Sequence, residues 1–387
     1  MKTMALRHIV SAVVIAVSTF AVSAREPYTE HADSLSKRSI ISKIIGYFEQ
    51  TNKPKSNKRF DVSFIGGPHF SSDTKLGIGL MAAGTYRHDR NDTLSLPSNV
   101  SLYGDVSTVG FYLIGLKGSH LFPHDRLRLN YDAYFYSFPT NFWGIGYETA
   151  KYATNKTSFK QFYFKGAVTA LARIADTDLF IGPGVEFNRI VAKKVERPEL
   201  WNGQSLSTST FGVGAELEYD TRDSQTGPES GWLIVLEQKF MPGWLGNNYA
   251  FGATKVRVSN YHKVWRGGVL ASIINGRMTY GDVPWGMLTT FGGSSVMRGY
   301  YEGRYRDKCG LEAVVELRQH VWRRSGVALW GGAATVVPKL SAMSWRKVLP
   351  CFGVGYRWEF KQRTNVRLDF GIGRGETAFI FNINESF

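Results

Sequence analysis

Beyond residue 22 the chain has no apolar run near the ~20 residues that cross a bilayer as a helix, so most of it cannot be a helical membrane protein. Cysteine is almost absent, with two in 387 residues, which excludes a disulfide scaffold. Cys309 and Cys351 fall on strands expected to be non-adjacent, where bridge geometry is unfavourable. No Gly-x-Ser-x-Gly elbow, His-Glu-x-x-His pair or Walker loop occurs. Gly77-x-Gly79 and Gly353-x-Gly355 read as strand glycines, and the eight histidines are scattered. The sequence therefore predicts no enzyme, no catalytic residue, no metal and no cofactor. Acids are in deficit, 32 Asp and Glu against 47 Lys and Arg, for a net charge of +15.

The N-terminus sets the compartment in which that charge acts. Lys2 and Arg7 precede an apolar run from Ile9 to Val22, followed by Val22-Ser23-Ala24. A charged start, a short apolar core and small residues at a cleavage point make a secretory signal peptide, expected over residues 1–24. Loss of Lys2 and Arg7 takes the charge from +15 to +13. In a soluble protein such an excess would suggest nucleic acid. For an exported chain it points instead to lipid phosphates or to acids of the protein's own interior, and nucleic acid is not an expected partner. Residues 25–59 form a polar segment in which Ile40, Ile41, Ile44, Ile45 and Phe48 recur at helical spacing. That predicts a short amphipathic helix over residues 34–50. It could lie on a membrane, plug a mouth or cap one end.

From residue 60 to 387 the period changes to two. Phe211, Val213, Ala215, Leu217 and Tyr219 alternate with Gly212, Gly214, Glu216, Glu218 and Asp220. Val366, Leu368, Phe370 and Ile372 alternate with Arg367, Asp369, Gly371 and Gly373. Alternation is the signature of strands with two unlike faces. Predicted strands are 61–69, 75–87, 97–104, 108–121, 126–138, 160–174, 178–191, 208–221, 231–241, 249–262, 265–280, 309–321, 325–337, 349–361, 364–373 and 377–387. Several reach the ~9–11 residues needed to span a bilayer at a tilt. Phe135, Tyr136, Phe138, Phe142 and Trp143 gather at strand ends, as interfacial girdles do. Backbone in lipid must be fully paired, which forces closure. The expected fold is all-β: a transmembrane antiparallel barrel of about 16 strands, with fourteen as the lower count. Long connections (139–159, 192–207, 281–308, 338–348) alternate with short ones, as external loops alternate with periplasmic turns.

Three blocks interrupt or end the alternation. Tyr219-Asp220-Thr221-Arg222-Asp223 runs on to Pro228 and Gly231-Trp232; its acids can bond turn backbone, its Gly and Pro supply turn dihedrals, and its oxygen spacing does not fit an EF-hand. The long loop carries Gly292-Gly293-Ser294-Ser295-Val296-Met297-Arg298-Gly299-Tyr300, in which Arg298 offers a planar fork suited to carboxylates. The last strand places Phe379, Phe381, Ile383 and Phe387 on one parity.

Taken in this order, the blocks resemble those of the BamA/TamA superfamily of bacterial outer-membrane insertases and translocases. Met297 stands where that family's loop motif prefers Val, and Glu385 where its last strand is usually apolar. The resemblance implies a periplasmic turn motif at Asp220, Arg222, Asp223 and Gly231. It implies a loop folded back into the lumen, with Arg298 meeting wall acids. Glu312, Glu316 and Asp369 have lumen-facing parity and are the candidates. The family often has an Asp on the thirteenth strand, where this chain reads Trp330-Gly331-Gly332. The last strand resembles the sorting signal of outer-membrane barrels. About 35 residues between Ala24 and the first strand are too few for a periplasmic POTRA domain, so a POTRA-less member is expected. The implied function is insertion or translocation of other proteins in the outer membrane of a Gram-negative bacterium. Implied partners are lipids including lipopolysaccharide, unfolded outer-membrane protein clients, and periplasmic proteins or lipoproteins. The alternative is a transport pore or structural surface protein without assembly activity.

Overall fold

In the computed structural model, residues 60–71, 74–86, 98–225, 227–361, 363–383 and 385–387 are described. The expected signal peptide (1–24) and the helix within 25–59 lie outside them. Sixteen strands form one antiparallel sheet: β1 (Phe60–Ser71), β2 (Lys75–Tyr86), β3 (Ser98–Ser107), β4 (Tyr112–Leu121), β5 (Leu127–Phe142), β6 (Thr157–Arg173), β7 (Leu179–Lys193), β8 (Ser207–Asp220), β9 (Gly231–Met241), β10 (Phe251–Trp265), β11 (Gly268–Gly281), β12 (Cys309–Trp322), β13 (Ser325–Val337), β14 (Leu349–Lys361), β15 (Thr364–Gly373) and β16 (Glu376–Ile383). Each strand pairs with its neighbours in chain order, and the sheet rolls into a barrel. Residues 97–121, expected to hold two strands, hold β3 and β4.

The side-chain distribution inverts that of a soluble protein. Leu80, Ile114 and Val354 are 68%, 58% and 53% exposed on the outer wall, while Arg298, Glu316 and Asp369 are 0% exposed inside. Only a lipid surround makes such an exterior favourable and such an interior necessary.

The ends of the barrel differ. Turns of two residues join β10 to β11 (266–267) and β12 to β13 (323–324) at one end. The other end carries the long loops 143–156, 194–206, 282–308 and 338–348. The long-loop end is filled by two apolar clusters. One joins Phe142, Phe159, Trp201 and Trp285; the other joins Trp143, Tyr147, Phe291, Tyr300 and Tyr305. Phe142 and Trp143 were expected in an interfacial girdle. They turn inward instead, because the loops bring Trp201 to 4.1 Å from Phe142 and Tyr301 to 5.2 Å from Trp143. The two cysteines are unpaired thiols, both buried.

The seam between the first and last strands is unlike the others. The β5–β6 ladder runs from Leu127–Ala172 to Phe142–Thr157. The β1–β16 ladder holds one pair among the described residues, Ser71 with Ile380. The sequence predicted a last strand reaching residue 387, but β16 ends at Ile383. Glu385 and Phe387 leave the wall and enter the lumen, where charged partners await them.

The lumenal loop and its arginine cluster

Loop 282–308 folds back into the barrel and is pinned by a two-residue ladder, Thr289–Thr290 against Arg306–Asp307. Its glycines permit the path. Gly292, Gly293 and Gly299 have φ of +109°, +68° and +119°, a region that a Cβ disfavours. Gly299 lies on β15 so closely that a Cβ there would stand 2.8 Å from the Ile372 carbonyl carbon. A Cβ at Gly371 would be 2.6 Å from the Arg298 oxygen, and one at Gly373 would be 2.7 Å from the Tyr300 ring. Two glycines of β15 thus form the groove that receives Arg298-Gly299-Tyr300. Met297 is fully buried, its sulfur 3.5 Å from the Cys351 thiol. Tyr300 donates to the Pro350 carbonyl at 2.6 Å, and burial pushes its phenol up to about 12.

This docking delivers Arg298 to the wall. Its Nη1 donates to Asp369 Oδ2 at 2.8 Å, and its Nη2 donates to Glu316. The guanidinium lies 3.7 Å from the centre of the Trp330 ring, a desolvated cation–π contact on the order of 2 kcal/mol. A Cβ at Gly353 would collide with that indole at 2.3 Å, so β14 leaves the space the ring needs. Where the resemblance implied an Asp on the thirteenth strand, β13 offers the stacked Trp330, and the second carboxylate on Arg298 is Asp369 of β15.

The acids are shared. Arg318 Nε donates to Glu316 at 2.7 Å, while Arg357 and Arg367 each donate to Asp369 at 2.6 Å. Arg367 also reaches the Ser294 carbonyl of the loop at 2.6 Å. Glu385 accepts from Arg357 Nε at 2.9 Å and from Asn365 at 2.7 Å. Arg318 donates to the Phe387 main-chain oxygen at 2.9 Å, with its guanidinium 5.3 Å from the Phe387 ring. Arg298, Arg318, Arg357 and Arg367 thus share Glu316, Asp369 and Glu385. Buried charges persist only when paired in this way, so the cluster acts as a clasp between loop, wall and the segment after β16. At the rim, Glu376 accepts from the Tyr301 N–H at 2.7 Å and from Arg304.

Two sequence expectations are corrected here. Glu312 does not meet Arg298. It lies closer to the long-loop end of β12, accepts from Asn275 at 2.8 Å, and lines a polar lumenal cavity of about 330 Å³ with Lys165, Glu186, Lys255 and Arg277. Phe387 does not share the face of Phe379 and Phe381. Those two sit opposite Phe370 and Leu368 on the outward face of β16, Ile383 is its last residue, and Phe387 is buried beside Tyr261 and Arg318. Arg318, Arg357 and Arg367 were missed by sequence reasoning. Their signal was an arginine at lumen-facing parity on each of β12, β14 and β15. Glu385, anomalous for a lipid-facing strand end, belongs to the lumen.

At the short-turn end, Asp220 is gripped by Arg222 through Nε at 2.8 Å and Nη2 at 3.0 Å. Asp223 Oδ1 accepts from the Glu229 and Ser230 N–H groups at 2.9 and 3.3 Å. Burial works against its ionisation, but those bonds and nearby Arg363 hold the carboxyl below its ordinary value. Gly231 has φ +103°, and a Cβ there would stand 2.2 Å from the Thr221 oxygen.

A family model described as the Omp85 superfamily domain matches residues 50–384. Among solved structures, the chain is similar to BamA from Haemophilus ducreyi lacking POTRA domains 1-3, with TM-score 0.54 and 14% identity over 95% of this chain and 81% of that one. CdiB from Escherichia coli gives TM-score 0.54 at 10% identity, over 89% and 70% of the two chains. CdiB from Acinetobacter baumannii gives 0.53 at 11%, over 84% and 60%. No curated protein sequence matches.

Proposed function

Because the chain belongs to the Omp85 superfamily, we propose that this outer-membrane barrel assists insertion or translocation of other proteins, and that it does so at the β1–β16 seam. The observation that carries the reading is the one-pair ladder, Ser71 with Ile380. Continuing that register would set Phe387 opposite residue 64, but Glu385 and Phe387 are held in the lumen by Arg357 and Arg318. A strand edge whose partner turns away invites an incoming strand. Clients in this reading are unfolded outer-membrane proteins, brought by periplasmic proteins or lipoproteins in the lipid of the outer membrane. The filled long-loop end does not favour the pore alternative.

The test uses the purified protein in liposomes and a urea-unfolded outer-membrane barrel as client, with folding read by protease protection. Wild type should fold the client several-fold faster than empty liposomes. Ser71→Cys/Ile380→Cys, with Cys309 and Cys351 replaced by Ala, should lose that gain when oxidised and recover it on reduction. Client folding at the empty-liposome rate would sink the reading.

A further inference from the structure

The β8–β9 turn, described at 221–225 and 227–230, does not stay over its own strands. Asp223 Oδ2 lies 3.0 Å from Arg363 Nη1, in the β14–β15 turn, and the Asp223 carbonyl accepts from the same nitrogen at 3.2 Å. Glu229 is 3.7 Å from Arg363 Nη2 and 2.8 Å from Lys263 Nζ. Gln225 accepts from Asn99 Nδ2, at the start of β3, at 3.2 Å. Four strands separate β3 from β8, and four more separate β9 from β14. One turn can touch both sites only by lying across the opening between them. The packing is close: a Cβ at Gly227 would stand 2.5 Å from the Arg363 carbonyl oxygen.

We infer that the described residues of this turn, 221–225 and 227–230, are a releasable strap closing the short-turn mouth of the barrel. The two ends are shut by different physics. Buried aromatic clusters fill the long-loop end, and opening them would expose large apolar area. The strap is held mainly by part-exposed ion pairs and hydrogen bonds, which are individually weak. Its base is rigid, fixed by the Asp220–Arg222 fork and the Asp223 bonds to Glu229 and Ser230. It can therefore swing as a unit without unfolding. Such a strap keeps small solutes out of the lumen while the seam stays available to clients, so it is separate from the seam function.

The test is the rate at which a charged maleimide labels a cysteine inside. Lys255→Cys lines the lumenal cavity, and Cys309 and Cys351 are replaced by Ala. Gly227→Ala is the probe, because the three atoms nearest the added methyl all belong to Arg363. Labelling should accelerate several-fold in Gly227→Ala, because a barrel of this strand number encloses a wide lumen once its mouth is open, with heat-stability of the barrel unchanged. Arg363→Gln should give the same direction, and Arg363→Lys should restore slow labelling. Equal rates in wild type, Gly227→Ala and Arg363→Gln, with all three folded, would overturn the strap. Client folding at the seam is measured separately and tests the other proposal.

Discussion

Replacing Asp369 by alanine should be among the most destabilising single changes in this barrel, costing about 3–5 kcal/mol. Asp369 is fully buried and accepts from Arg298, Arg357 and Arg367. Removing it leaves three guanidinium groups around one missing acid, with Glu316 and Glu385 already engaged by Arg318 and Arg357. An uncompensated buried charge is worse than no charge at all. The readout is the temperature at which the purified barrel loses its compact electrophoretic mobility. A fall on the order of 10 °C is expected, against little change for the surface variant Lys339→Ala. An Asp369→Ala barrel that melts with wild type would show that the clasp carries no net stability.

The second large effect concerns the loop without touching a charge. Gly371→Ala places a methyl 2.6 Å from the Arg298 oxygen and 2.8 Å from the Gly299 nitrogen. The β15 backbone at Gly371 tolerates a side chain, since its φ is not in the left-handed region. The strain therefore falls on the docked loop, whose main chain must lift from β15 and draw Arg298 away from Asp369. Overpacking of this kind costs ~1–3 kcal/mol before the ion pairs are counted. Protease added from outside should cleave loop 282–308 in Gly371→Ala while the barrel stays folded. A loop as resistant as wild type would mean that the groove formed by Gly371 and Gly373 does not hold it.

Much of the wall was legible because period-two alternation is imposed by lipid on one side and a polar lumen on the other. Phe211 to Tyr219 and Val366 to Ile372 kept their faces in β8 and β15 for that reason. The register of loop 282–308 between β11 and β12 was equally legible, since length and composition mark it. What parity could not reveal was depth along a strand. Glu312 and Glu316 share a face of β12, yet only Glu316 lies at the level of Arg298. Nor could it reveal that a strand stops early. Phe379, Phe381 and Phe387 have one parity, but Arg318 and Arg357 give residues 385–387 a better place inside than lipid offers Glu385. The aromatics Phe142 and Trp143 misled for a related reason, because a loop-filled mouth competes with the membrane interface for the same rings.

The arginine cluster also bears on the order in which the chain folds. All its members lie between Arg298 and Phe387, so its contacts close short stretches of chain compared with the β1–β16 pair, which joins residue 71 to residue 380. Contacts of low sequence separation form first when loop-closure entropy dominates. We predict that β12 to β15 and the docked loop become protected as one unit before β1 joins. Pulsed hydrogen exchange during refolding should then show β12 to β15 amides protected ahead of those at the Ser71–Ile380 junction, and simultaneous protection would refute that order. The clasp would thus be in place before the wall is complete, leaving the seam as the last junction to form.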